Sequence, residues 1–213
     1  MTGDSRPLPM FPLSTVLFPG APLPLHVFEP RYRRLTTDVL AADGLFGVVL
    51  IERGREVGGG DVRAALGTVA RVEAASALPD GRWILLARGE HRIEVTAWLD
   101  DDPYPRAEVR SRADHAAPEP DALARGEAAV RRARALLSEL ESAPPLAPAP
   151  EDEDPGAAAW RLCAEAPVSV LDRQGLLAQD DPVQRMEALA RLAGERALDL
   201  ELLLSEGRRE GPA

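Results

Sequence analysis

Near residue 115 the sequence changes its period, and that change restricts the chain to an α+β class. Before it, short apolar runs are separated by turn residues; after it, apolar residues recur every three or four positions. Residues 8–18 (LPMFPLSTVLF) hold short apolar pieces broken by Pro12 and Ser14, and 45–51 (LFGVVLI) read as a buried strand. GTVARVEAA at 67–75 partly alternates. LPDG at 78–81 marks a turn, with RWILLAR at 82–88 returning so that Ile84 and Leu86 share one face. HRIEVTAWL at 91–99 and PRAEVR at 105–110 complete a set of about six short strands. Such a set avoids exposed edges best as a closed or nearly closed sheet.

The later part reads as helices over 121–142, 157–166, 169–179 and from Asp181 onward. Leu123, Val130, Ala133 and Leu137 mark the packed face of the first, where Gly126 lowers local propensity. In the last, Asp181 is placed to cap, Pro182 sits at the first helical position and Gln184 completes a capping box. The segment 143–156 combines five prolines with an acidic run and reads as an exposed loop. The expected organisation is a β-rich domain over 7–115 and a helical subdomain over 119–207, interrupted at 143–156.

The most distinctive stretch is FPGAPLPLHVFEPRYR at 18–33. Pro30 suits the start of a helix, and Tyr32, Leu35 and Val39 follow at helical spacing until Asp43-Gly44 stops it. Glu29 is placed to cap that helix. His26 and Glu29 are an acid and a base three residues apart, but the flanking prolines prevent a continuous helix from putting them on one face, so a structural role is favoured.

Composition removes several chemistries. All 25 basic residues are arginines, which excludes a lysine nucleophile or Schiff base. Against 35 acidic residues they leave a net charge of −10, so nucleic acid is an unfavoured partner. The sole cysteine, Cys163, lies in an apolar helical pattern and reads as a small buried side chain. His26, His91 and His115 fit no metal spacing, and no cofactor is expected. No serine occupies GxSxG, and VGGGD at 57–61 lacks a phosphate-loop pattern. The N-terminus has no signal-peptide pattern and no apolar run spans a membrane, so a cytoplasmic location is expected. Arg31, Arg33 and Arg34 around Tyr32 read as a helix surface with the means to contact a ligand or partner.

Taken in order, FPL at 11–13, VLFPG at 16–20, LPLHVFEPRYR at 23–33, GTVARV at 67–72, LPDGRW at 78–83, RGEHRIEV at 88–95 and PYPRAEV at 103–109 resemble the N-terminal substrate-binding domain of Lon proteases and its free-standing bacterial relatives. The resemblance implies a PUA-like β pseudo-barrel with one inserted helix, followed by a small helical subdomain. It also implies that Phe18, Leu25 and Phe28 pack. Neither the ATPase nor the serine–lysine peptidase module of full Lon is expected within these 213 residues, and the catalytic residues of those modules have no positions among them to map onto. The function it implies is a non-catalytic polypeptide-binding or adaptor module. Arg31 and Tyr32 are expected near its binding surface. Its expected partners are unfolded or extended polypeptides, with a protease or another protein as a further one. A small-ligand protein or enzyme and an RNA-binding PUA-like protein are the alternatives.

Overall fold

The computed structural model describes residues 6–53, 62–114, 116–141 and 144–209; His115 and the 57–61 glycine run lie outside them. The chain divides into two units, Met1–Ala113 and Asp114–Ala213. The first is a mixed sheet with one helix. Its strands are β1 (Arg6–Leu13), β2 (Pro22–Val27), β3 (Leu45–Arg53), β4 (Val62–Ala77), β5 (Trp83–Leu99) and β6 (Arg106–Arg112), with α1 (Pro30–Ala41) between β2 and β3. The sheet order is β2-β5-β4-β3-β1-β6, and β6 pairs with β5 as well as β1. Among the described strands only β1 and β3 pair in parallel, and the connection between them contains β2 and α1.

The strands bury both faces near the middle of the sheet. Along β1, Leu8 and Met10 join one apolar cluster with Val49, Val69 and Ile93. Phe11 and Leu13 join another with Val27, Tyr32, Leu35, Phe46 and Leu85. That two-sided burial explains why residues 45–51 form a continuous apolar run rather than an alternating one. The turn at 78–81 forms as expected, with Gly81 at φ +79° and Leu78 N–H donating to the Arg82 carbonyl at 2.8 Å.

Two differences from the sequence reading concern strands. Residues 82–88 and 91–99 form one long strand, β5, which carries register shifts opposite β4 and β6 instead of a break. Residues 22–27, which the sequence analysis does not assign to a strand, form β2. Prolines at alternate positions are tolerated because β2 is an edge strand. Gly89 N–H donates to the Ala21 carbonyl at 3.0 Å. Antiparallel alternation then turns the main-chain groups of Leu23, Leu25 and Val27 toward β5 and those of Pro22, Pro24 and His26 outward. The outer edge thus offers three carbonyls but an N–H only at His26.

The second unit comprises α2 (Pro120–Glu141), α3 (Pro155–Glu165), α4 (Val170–Ala178) and α5 (Pro182–Arg209). Asp181 caps α5 by accepting from Val183 N–H at 2.8 Å and Gln184 N–H at 3.2 Å, while the Gln184 side chain meets Gln179. On α2 the buried residues are Ala122, Gly126, Val130 and Ala133, with Leu123 and Leu137 half-buried. Gly126, read as a weak point, is a point of close approach: a Cβ there would sit 3.4 Å from Met186 Sδ. The proline-rich loop is tied down. Leu146 is buried, Arg134 donates to the Pro144 carbonyl at 2.7 Å, and Arg161 grips Glu153 through two nitrogens. The buried Arg185 pairs with Asp114 at 2.8 Å and lies 3.6 Å from the Trp160 ring centre, whose indole N–H also donates to Asp114 at 2.7 Å. A buried cation needs this degree of compensation to tolerate losing water.

One glycine tests the sheet directly. A Cβ on Gly89 would overlap the Phe18 carbonyl, and Phe18 is fully buried. Gly89→Ala is therefore expected to lower stability by about 1–3 kcal/mol, read from the urea midpoint.

Candidate functional site

The first turn of α1 sets out the chemistry of the first unit. Pro30 occupies the first helical position, where no N–H is missed. Tyr32, Leu35, Thr36 and Val39 then form the buried face. Tyr32 is only 4% exposed, and its ring stacks on Phe11 of β1 with centroids 4.1 Å apart and planes 10° from parallel. The Arg31 guanidinium carbon lies 4.5 Å from the centre of the Tyr32 ring. Such stacking adds roughly 0.5–1.5 kcal/mol beyond the area buried. Near the other end of the helix, the Tyr104 hydroxyl donates to Asp38 at 3.0 Å; burial and that partner raise the pKa of Tyr104.

Beside Tyr32 is a cleft of about 210 Å³ lined by Phe11, Leu13, Pro24, Leu25, His26, Val27, Phe28, Glu29 and Tyr32. It is below the size of ordinary small-molecule sites, about 300–1,000 Å³, and matches a single inserted side chain better. Phe28 stands at its rim, 54% exposed, with its ring 6.4 Å from that of His26. Expected to pack, Phe28 instead lies in the connection after β2, beyond the strand alternation that buries Val27. Phe18 is buried and Leu25 packs at the edge of the core, as expected.

The apolar surface continues from the cleft across the sheet. Register places Pro24, Leu86 and Ala74 in one row and His26, Ile84 and Ser76 in the next, all exposed. Ile84 is 52% exposed and Leu86 39%. They share one face, as the hairpin pattern required. Which face meets water was hidden, because Leu85 and Ala87 on the other side are equally apolar. Flanking this row, Arg88 pairs with Glu73 at 2.5 Å.

The sequence-selected acid and base line the cleft without forming a relay. The Glu29 carboxylate takes the Arg31 guanidinium at 3.2 Å and gives no side-chain cap to α1, contrary to the expected capping role. His26 makes no hydrogen bond among the described residues. His91 sits in β5 opposite Val69. Among the described residues no group of three or more His, Cys, Asp or Glu side chains is arranged to hold a metal, and no helix is long and apolar enough to cross a membrane. In the second unit Cys163 is fully buried, and desolvation pushes its thiol up to about 12. The sequence reading of a packing cysteine holds.

The family model for the ATP-dependent protease La (LON) substrate-binding domain matches residues 7–193. The chain belongs to the Lon substrate-binding domain family. A crystal structure of a Lon N-terminal domain protein from Xanthomonas campestris shares 32% identity over 86% of this chain and 96% of that one, with a TM-score of 0.64. The N-terminal domain of a Mycobacterium avium complex Lon protease, 17% identical, shares the fold with a TM-score of 0.61 over 89% of this chain and 99% of that one. Lon protease 1 of Herpetosiphon aurantiacus is 30% identical over 82% of this chain, which spans 22% of that protein's length. The match lies in the substrate-binding region of the family, in keeping with the α+β architecture of a six-stranded sheet and helices.

Two outcomes are expected. Tyr32→Ala costs about 3–5 kcal/mol in chemical denaturation, as for loss of a buried aromatic, whereas Phe28→Ser stays within about 0.5 kcal/mol. Native Cys163 resists a thiol reagent and reacts on unfolding. Since its folded pKa is raised above the ordinary 9.0, its contribution to stability is present below pH 9 and is lost as pH rises toward about 12.

Proposed function

We propose that this chain is a non-catalytic recognition module that binds unfolded or extended polypeptides through the cleft between β2 and α1. The observation that carries the reading is Phe28: a largely exposed aromatic at the mouth of an apolar cleft, continuous with exposed Ile84 and Leu86. Single exposed apolar residues are ordinary, but a contiguous set beside a cleft marks an interaction surface. The family of the chain, a substrate-binding domain, supports the same reading. The six strands are proposed to close as a PUA-like pseudo-barrel, supported by the double pairing of β6. A buried lone cysteine accords with a reducing, cytoplasmic setting.

The mechanism is capture of a side chain rather than addition of a strand. A peptide laid along β2 would find carbonyls at Pro22, Pro24 and His26 but only the His26 N–H, so two of the three donors of a normal ladder are missing. An apolar side chain inserted between Phe28, Pro24 and Leu25 loses water without needing that ladder. Tyr32 supplies the floor of this site and Arg31, held over its ring, a cationic rim for the passing backbone. The module is proposed to act as an adaptor that delivers such segments to a protease or other protein partner.

Fluorescence anisotropy with a set of labelled, unfolded peptides tests this. Saturable micromolar binding is expected without cleavage, favouring segments with a large apolar side chain. Phe28→Ser should weaken it at least tenfold, about 1.4 kcal/mol, with an unchanged melting temperature. Equal affinity of the variant and the parent would remove the cleft from the site.

A further inference from the structure

We propose that a second cleft, on the other side of the first turn of α1, binds a carboxylate of the same polypeptide. The module would then select segments in which an acidic group accompanies the apolar anchor. This inference rests on the polypeptide-binding reading and names the chemistry that the site prefers.

The cleft, about 460 Å³, is lined by Pro30, Arg33, Arg34, Thr37, Gly81 and Trp83, among others. Its distinctive group is the half-buried Arg33. Among the described residues the Arg33 guanidinium makes no ion pair or side-chain hydrogen bond, although carboxylates lie on the neighbouring elements. Each of these is already engaged: Glu29 with Arg31 at 3.2 Å, Asp38 with Arg34 at 3.0 Å, and Asp80 with Arg82 at 2.6 Å. The engagement of Asp80 also lowers its pKa, chiefly through the Arg82 backbone N–H. The surroundings leave one positive charge uncompensated.

Arg33 is also held in place. Its guanidinium lies against Gly81, where a Cβ would overlap Nη2, and Gly81 itself needs its φ of +79° to close the turn from Leu78 to Arg82. The turn therefore leaves an opening that the arginine occupies. A fixed guanidinium presents a planar fork of donors that matches a carboxylate in two parallel hydrogen bonds. The positive end of the α1 dipole lies at Pro30 and favours an anion on the same side. Trp83 adds an apolar wall to the cleft.

The two clefts share the helix turn. Glu29 and Tyr32 line one and Pro30 and Arg33 the other, as successive positions about 100° apart on a helix require. A segment crossing this turn can place an apolar side chain by Phe28 and a carboxylate by Arg33 at once. One free guanidinium suits a single carboxylate. A nucleic acid would bring many phosphates to a chain of net charge −10.

The test uses the full chain and fluorescein-labelled peptides with one Phe anchor and an Asp two to four residues away. Matched peptides carry Asn in place of Asp, each with a free or an amidated C-terminus. Asp peptides are expected to bind at least fivefold tighter than Asn peptides at low salt. Arg33→Gln should abolish that preference, and Arg33→Lys should restore only part of it. If the free C-terminus supplies the carboxylate, amidation rather than Asn causes the loss. Binding that depends on Phe28 but ignores both Asp and the terminal carboxylate would overturn the carboxylate site and leave the polypeptide reading standing. Retention of the preference in Arg33→Gln would overturn it equally. Failure of every peptide to bind would overturn both.

Discussion

The stack of Tyr32 on Phe11 is the contact on which the first unit's surface depends. It fastens the N-terminal turn of α1 to the β1 strand, while the Tyr104–Asp38 hydrogen bond ties down a later turn of the same helix. With the turn fixed, everything around it has a set place. Arg31 lies over the outer face of Tyr32, Phe28 is held at the cleft mouth by the chain entering the helix, and Arg33 reaches Gly81. Rigid support beneath a small cleft matters because binding free energy is otherwise spent on ordering the site.

Much of this was legible in the sequence, for identifiable reasons. Pro30 and the Tyr32, Leu35, Val39 spacing predict α1 because helix periodicity and an N-terminal proline agree. The Leu78–Gly81 turn is readable because its proline and glycine each satisfy a specific backbone demand. The strand β2 was obscured by Pro22 and Pro24, which read as breakers until the topology shows them on an edge. Phe28 is exposed although hydrophobicity predicts burial on average, because one residue past a strand end the alternation no longer says which way a side chain points. The cleft around Arg33 depends on a residue from α1 meeting a turn some fifty positions later, a pairing that no local pattern encodes.

The charge distribution clarifies how an acidic chain can present an anion-binding surface. Residues 1–113 carry 14 arginines against 15 carboxylates, whereas residues 114–213 carry 11 against 20. The excess negative charge is thus concentrated in the helical unit, and the β-rich unit is close to neutral. Among the described residues the other two arginines of α1, Arg31 and Arg34, are paired locally, so the unpaired Arg33 guanidinium produces a local field despite the overall balance. The prolines of β2 serve a complementary purpose. By removing donors from the outer edge they discourage pairing with a second copy, while keeping an apolar face available for transient side-chain contacts.

The most direct measurement is residue-resolved: amide chemical-shift mapping of the ¹⁵N-labelled protein during titration with an unfolded, Phe-containing peptide. Saturable shifts are expected to concentrate between Leu23 and Arg34 and between Leu78 and Leu86, with the amides of α2 to α5 largely unmoved. Shifts confined to the helical unit, or none around Phe28 and Tyr32 at saturating peptide, would contradict it.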